Sequence, residues 1–209
     1  MKITHTPLLV FAGIALATFQ VRAESLVDGS AELGKSRSTT CAACHGQDGN
    51  STIPMWPSIA GQAATYTVAQ LMAFKDGSRS DPVMSSLAMT LSDEDIRHLA
   101  VYFESLPGPT MAVADANTVS KGEALYRGGD AQTGVAACIA CHGPTGSGNP
   151  AAGYPSVRGQ HATYTAKQLR EYAADTRKSD GKTRMMRDIA ARLDSDDIDA
   201  VASYMQGLH

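Results

Sequence analysis

The chain has 209 residues, a formal net charge of −3, 6% aromatic side chains and four cysteines. No basic run or charge excess suits a nucleic-acid partner, and so few aromatics are little to build a core of packed side chains alone. Cysteine this sparse excludes a disulfide-dense scaffold.

In chain order, the first element is a targeting segment. Met1-Lys2 is a short basic start, PLLVFAGIALATF is an apolar run of about 13 residues, and Val21-Arg22-Ala23 resembles a small-residue cleavage site. Residues 1–23 therefore read as a secretory signal peptide, which places the chain in an oxidising compartment outside the cytoplasm. The run is shorter than the roughly 20 residues a spanning helix needs; the alternative is an uncleaved anchor. Cleavage would leave 186 residues (209 − 23), enough for one large domain or two small ones.

Beyond residue 23 the chain is a tandem repeat. Cys41, Cys44 and His45 match Cys138, Cys141 and His142 at an offset of 97; GQAATYTVAQL from Gly61 matches GQHATYTAKQL from Gly159 at 98. MSSLAMTLSDEDIRHLAVYFESL from Met84 matches MRDIAARLDSDDIDAVASYMQGL from Met186 at 102. The second copy thus gains one residue after its cysteine motif and four before Met186. The turn-forming LPGPT lies between the copies. The expected division is a first domain at 24–107, a linker at 108–111 and a second domain at 112–209. Residues 24–107 carry 5 Lys/Arg and 10 Asp/Glu, a net charge of −5, whereas 108–209 carry 11 of each.

Each copy reads as helical. Ala63 to Lys75 and Ala162 to Ala174 lack turn residues. Ile96, Leu99, Ala100, Phe103 and Leu106 form an apolar stripe repeated by Ile198, Val201, Ala202, Met205 and Leu208. Ser92 before Asp93, Glu94 and Asp95 is an N-cap with acids in the first turn. Gly- and Pro-bearing loops separate each cysteine motif from the middle helix, and no run alternates long enough for a strand. The fold class is all-α.

The motif C-x-x-C-H occurs twice, at Cys41 and Cys138. A structural zinc site wants a second cysteine pair about 15–20 residues on, and a thioredoxin-like pair wants a βαβ setting. Covalent haem attachment wants the added histidine. Cysteines three apart on a helical turn share a face, so both sulfurs can bond one haem while the histidine lies beneath its iron. Two covalent haems c are therefore expected, with His45 and His142 as axial ligands. A sixth ligand decides between a carrier and an enzyme, because a closed iron cannot bind substrate. Met84 and Met186 are the one position that keeps methionine in both copies, with Met185 the rival in the second; the spare histidines pair with alanines, His98 with Ala200 and His161 with Ala63. A histidine–methionine set raises the potential and suits an electron carrier, not an enzyme.

CAACHGQDGN, PSIAGQ, Arg127-Gly128-Gly129, YPSVRGQHATYTAKQL and SYMQGLH together resemble the cytochrome c4 family, dihaem periplasmic carriers built of two class I cytochrome c domains. The resemblance covers essentially the whole chain after residue 23. It implies two such domains, each wrapped around one haem, held by Cys41 and Cys44 with His45 and Met84, and by Cys138 and Cys141 with His142 and Met186. It further implies that the carbonyls of Pro57 and Pro155 accept the ring N–H of the two histidines, that Tyr66 and Tyr164 lie near the haem propionates, and that Gln70 and Gln168 lie nearby. The implied partners are a membrane-bound terminal oxidase and an upstream quinol-oxidising or dehydrogenase donor, with peripheral membrane association. The alternatives are a dihaem subunit of a complex such as flavocytochrome c sulfide dehydrogenase, and a dihaem peroxidase. Arg170, Arg177, Lys178, Lys182, Arg184 and Arg187 gather around the insertion before Met186, and suggest a basic face for an acidic partner.

Overall fold

The computed structural model describes Met1 and residues 25–209; apart from Met1, the expected signal peptide lies outside the described residues. The first copy contains α1 (Ala31–Arg37), α2 (Thr39–His45), α3 (Ala64–Asp76), α4 (Pro82–Met89) and α5 (Asp93–Glu104). The second contains α6 (Val119–Gly128), α7 (Ile139–His142), α8 (Ala162–Ala173), α9 (Met185–Ala190) and α10 (Ser195–Gln206), with 3₁₀ turns at Ala116–Thr118, Pro150–Ala152 and Gly181–Thr183. Among the described residues pairing outside the helices is limited to the isolated bridges Asp130–Val135 and Asn149–Tyr154. The molecule is all-α, as its sequence pattern requires.

Local chemistry sets the helix limits. Ser92 Oγ accepts from Asp95 N at 3.0 Å and starts α5, and the Asp194 carboxylate caps α10 in a reciprocal box with Asp197. Asp81 Oδ1 accepts from the amides of Val83 and Met84, with Pro82 in the first turn, which fixes the start of α4. The stripe on α5 is buried at Ile96, Leu99, Ala100 and Phe103, and that on α10 at Ile198, Val201, Ala202 and Met205. Leu106 and Leu208 lie just past their helices.

In both copies the first helix crosses the last, α1 on α5 and α6 on α10. The crossing is close because a glycine sits at it. A Cβ on Gly34 would lie 2.0 Å from the His98 carbonyl oxygen, and one on Gly122 would lie 2.3 Å from that of Ala200; His98 and Ala200 are repeat equivalents. The middle helix packs on the last in each copy, α3 on α5 and α8 on α10, and the methionine-bearing helix packs on the middle one, α4 on α3 and α9 on α8.

The two halves meet along a seam related by an approximate two-fold axis. Gln62 Nε2 donates to Ser156 O at 2.9 Å while its Oε1 accepts from Ser156 N. Gln160 repeats the pair on Ser58, at 2.8 and 3.0 Å. The linker runs against this seam: a side chain on Gly61 would meet Gly108, and one on Gly159 would meet Pro109.

Replacing Gly34 or Gly122 with alanine drives a methyl into backbone that cannot yield, and is expected to cost about 3 kcal/mol. Gly128→Ala, at a helical glycine with open space around it, is expected to be neutral or slightly stabilising. Denaturant unfolding of the three variants checks the contrast.

Candidate functional site

Both C-x-x-C-H motifs end a short helix. Cys41, Cys44 and His45 lie in α2; Cys138 is the N-cap of α7, which carries Cys141 and His142. A glycine in the positive-φ region follows each histidine, Gly46 at 84° and Gly143 at 78°, and turns the chain into its loop. The loops then close alike. Gly49 O accepts from the amides of Ile59 and Ala60, and Gly146 O accepts from those of Val157 and Arg158.

That closure delivers a proline carbonyl to each imidazole. His45 Nδ1 donates to Pro57 O at 2.8 Å, and His142 Nδ1 donates to Pro155 O at 2.9 Å. The acceptors are carbonyls, so Nδ1 carries the proton in both rings and Nε2 keeps its lone pair for a metal. Both histidines are buried, and desolvation lowers their pKa, against a smaller raising effect of the proline bond. They are therefore neutral imidazoles at neutral pH.

The four cysteines form no disulfide and are half-buried. Burial raises the Cys41 thiol and pushes Cys138 up to about 11, the reverse of the depressed values that mark redox-active or nucleophilic thiols. Met84 and Met186 are both half-buried. Met186 packs against the second domain's core, whereas the rival Met185 is 36% exposed.

Tyr66 and Tyr164 occupy the seam, as do Gln70 and Gln168, and there they meet two arginines that sequence alone did not bring to the site. Arg79 reaches across to Tyr164 Oη at 2.6 Å and Gln168 Oε1 at 2.8 Å, while holding its own Gln70 at 3.1 Å. Arg177 mirrors it on Tyr66 at 2.8 Å, Gln70 at 2.7 Å and its own Gln168 at 2.6 Å. Each guanidinium also covers an aromatic ring, Phe74 or Tyr172, at 4.5 Å. Burial raises the Tyr66 phenol, yet the Arg177 and Arg79 charges outweigh it and hold the group below its usual value. The signal was available: Arg79 and Arg177 share the offset of 98 that also aligns the tyrosines and glutamines.

The basic cluster before Met186 needs correcting. Arg177 is a seam residue, 3% exposed. Arg187 is locked to Asp180 at 2.7 Å and Asp175 at 2.9 Å. Arg184 pairs with Asp175 and Asp188, Lys178 with Asp175, and Arg170 with Asp199. Of the six cations, Arg177 and Lys182 make no ion pair among the described residues, and Arg177 is buried. The insertion largely neutralises itself and offers no basic face.

The residues fit two covalently held haems on three counts. The paired cysteines carry a neutral imidazole with a free Nε2 beside them. The first domain's buried hydrophobics, among the described residues, are alanines plus Phe74, Ile96, Leu99 and Phe103, a core that a large apolar group completes. The seam holds two buried guanidiniums with no carboxylate partner among the described residues, a place for propionate charge.

Comparison with known proteins agrees. Residues 119–209 match the family model for cytochrome c, and residues 31–103 match that for cytochrome c oxidase, cbb3-type, subunit III. Cytochrome c4 of Pseudomonas aeruginosa is 46% identical over 181 residues, 87% of this chain and 90% of that protein. The crystal structure of reduced cytochrome c4 from Pseudomonas stutzeri superposes with a TM-score of 0.84 at 43% identity, covering 87% of this chain and 100% of that one. A thiosulfate dehydrogenase electron acceptor from Stutzerimonas stutzeri is 34% identical over 211 residues, 98% of this chain and 95% of that protein.

Removing the Arg177 fork leaves Tyr66 Oη without its donor in a buried seam and leaves Gln70 and Gln168 to Arg79 alone. Arg177→Met is expected to cost roughly 3 kcal/mol, and Arg177→Lys to recover less than half, because one ammonium cannot span the three acceptors. Urea unfolding of the haem-loaded protein measures both.

Proposed function

Since the chain belongs to the cytochrome c4 family, whose members are dihaem electron-transfer proteins, we propose that it is a periplasmic carrier. It moves single electrons from a quinol-oxidising or dehydrogenase donor to a membrane-bound terminal oxidase, associating with the membrane only at its surface. Cys41 and Cys44 hold the first haem c and Cys138 and Cys141 the second. His45 and His142 would each hold an iron through a ring nitrogen, and Met84 and Met186 through their sulfurs. Residues 1–23 direct export. No helix among the described residues is long and apolar enough to cross a membrane.

The observation that carries this reading is the bond from each histidine to a proline carbonyl, made twice with the same geometry. It fixes the ring's plane and tautomer, and it makes Nε2 a stronger donor. When bound, the haem iron gains and loses one electron, and closed axial positions keep small molecules from it. The protein's part is to hold ligands that need not move when the charge changes. Asp81, by capping α4 through the amides of Val83 and Met84, fixes Met84. In the second domain Asp180 accepts from the Arg187 amide at 3.0 Å and steadies the start of α9, beside Met186.

A second reading of the donor has specific support. The similarity to a thiosulfate dehydrogenase electron acceptor extends over nearly the whole chain, so a periplasmic dehydrogenase acting on reduced sulfur compounds is the competing electron source. Reduction of the oxidised protein by such an enzyme, compared with reduction by a quinol-oxidising complex, separates the two.

In the dithionite-reduced protein, carbon monoxide is expected to leave the haem spectrum unchanged. Met84→Ala or Met186→Ala is expected to open half of the haem to carbon monoxide, whereas Met89→Ala and Met185→Ala are expected to open none. Binding to half the haem of the unaltered protein would overturn one methionine assignment.

A further inference from the structure

The seam's side-chain bonds come in two-fold pairs, with one buried exception. His161 Nε2 lies 2.8 Å from Ser51 O, across the seam, and both residues are buried. Because a carbonyl only accepts, Nε2 carries the proton and donates. The repeat equivalent of His161 is Ala63, which has no group to return the bond. Among the described residues three other cross-seam contacts lack mates, Thr65 Oγ1 to Pro150 O, Lys178 N to Ser78 O and the Lys167–Asp81 ion pair. The first comes from an exposed hydroxyl, the second joins two backbone groups, and the third is a 3.8 Å pair of side chains open to solvent.

Ser51 is no ordinary acceptor. Its Oγ shares one proton between Cys44 O at 3.2 Å and Ile53 O at 3.1 Å, and its amide donates to Ser58 Oγ at 3.1 Å. It thus ties the end of the first C-x-x-C-H to the residue after Pro57, whose carbonyl orients His45. In the second copy the matching position is Gly148, whose amide bonds His142 O within its own loop at 2.9 Å. Both loops thus take a glutamine from the other domain, Gln160 on Ser58 and Gln62 on Ser156; what sets the first apart is a buried imidazole donor, His161, on the residue bonded to its own motif.

We propose that His161 is a positioning residue for the first haem site, acting through Ser51 on the Cys44–Pro57 loop, and that this dependence runs one way, from the second domain to the first. Without the imidazole donor, Ser51 O is a buried acceptor with no partner, and the loop that presents the Pro57 carbonyl loosens. The first iron's potential then moves, because the bond at Nδ1 sets the basicity of the axial ligand. This rests on His45 being that ligand. Amide exchange reads the clamp whether or not His45 ligates iron, so failure of one reading is distinguishable from failure of the other.

The test uses the haem-loaded full chain with His161→Ala, and His161→Phe to keep the volume if the alanine variant does not fold. Amide exchange across residues 44–58 is expected to quicken about tenfold, with residues 141–155 unchanged. In a redox titration followed by NMR, the first domain's haem signals are expected to shift in potential while the second domain's stay. His161→Gln, which retains a donor, is expected to recover most of both effects. Gln62→Ala loosens the same seam without touching Ser51. If it moves the first haem as far, or if both haems move together or neither moves, the proposal is wrong.

Discussion

Everything in each domain's site depends on one hydrogen bond, that from a histidine Nδ1 to a proline carbonyl. A helix of one or two turns cannot by itself fix the plane of an imidazole at its last residue. The chain solves this by turning at a positive-φ glycine, closing a loop on Gly49 or Gly146, and returning a rigid carbonyl to the ring. Proline suits the post because its fixed φ leaves the carbonyl little freedom. The histidine is held neutral, in one tautomer, with Nε2 left unprotonated for its task. A carrier benefits from such rigidity, because an iron whose ligands stay in place exchanges an electron with little rearrangement.

The seam raises a different question, how two guanidiniums can be buried with tyrosine and glutamine for company. Arg79 receives three oxygen acceptors and Arg177 four, and each an aromatic face, which offset part of the desolvation cost. What remains is a site that favours negative charge between the domains. Arg79 and Arg177 each bind the far domain's tyrosine and glutamine, so the same residues that accommodate that charge also join the halves.

Much of this was legible in the sequence, because the repeat acts as an internal control. The stripes on α5 and α10, the Ser92 cap and the paired cysteines follow from periodicity and local hydrogen bonding, which need no partner. The α1–α5 crossing was not legible: it rests on Gly34 meeting a carbonyl 64 residues away, and glycine in a helix carries no periodic signal. The basic cluster misled because charge counted along a sequence says nothing of pairing. Asp175, Asp180 and Asp188, interleaved with the cations, satisfy most of them, and Arg177 turns inward. The pairing of Arg79 with Arg177 was present in the offset of 98 but obscured by its neighbours' charges.

The two-fold character of the seam has a consequence for how such a molecule is assembled. An isologous surface is complementary to itself: Gln62 meets Ser156 as Gln160 meets Ser58, and each arginine meets the other domain's tyrosine. The fused chain is in this respect a dimer whose subunits were made continuous. Either half, cut at the linker, would present a face already shaped for a second copy of itself. His161 is what breaks that equivalence, since a pair of first halves would have no imidazole to offer, and a pair of second halves would have a glycine in place of Ser51, with no hydroxyl to tie it to its motif. Fusion thereby allows a feature no symmetric dimer could keep, two sites of one design that are not interchangeable.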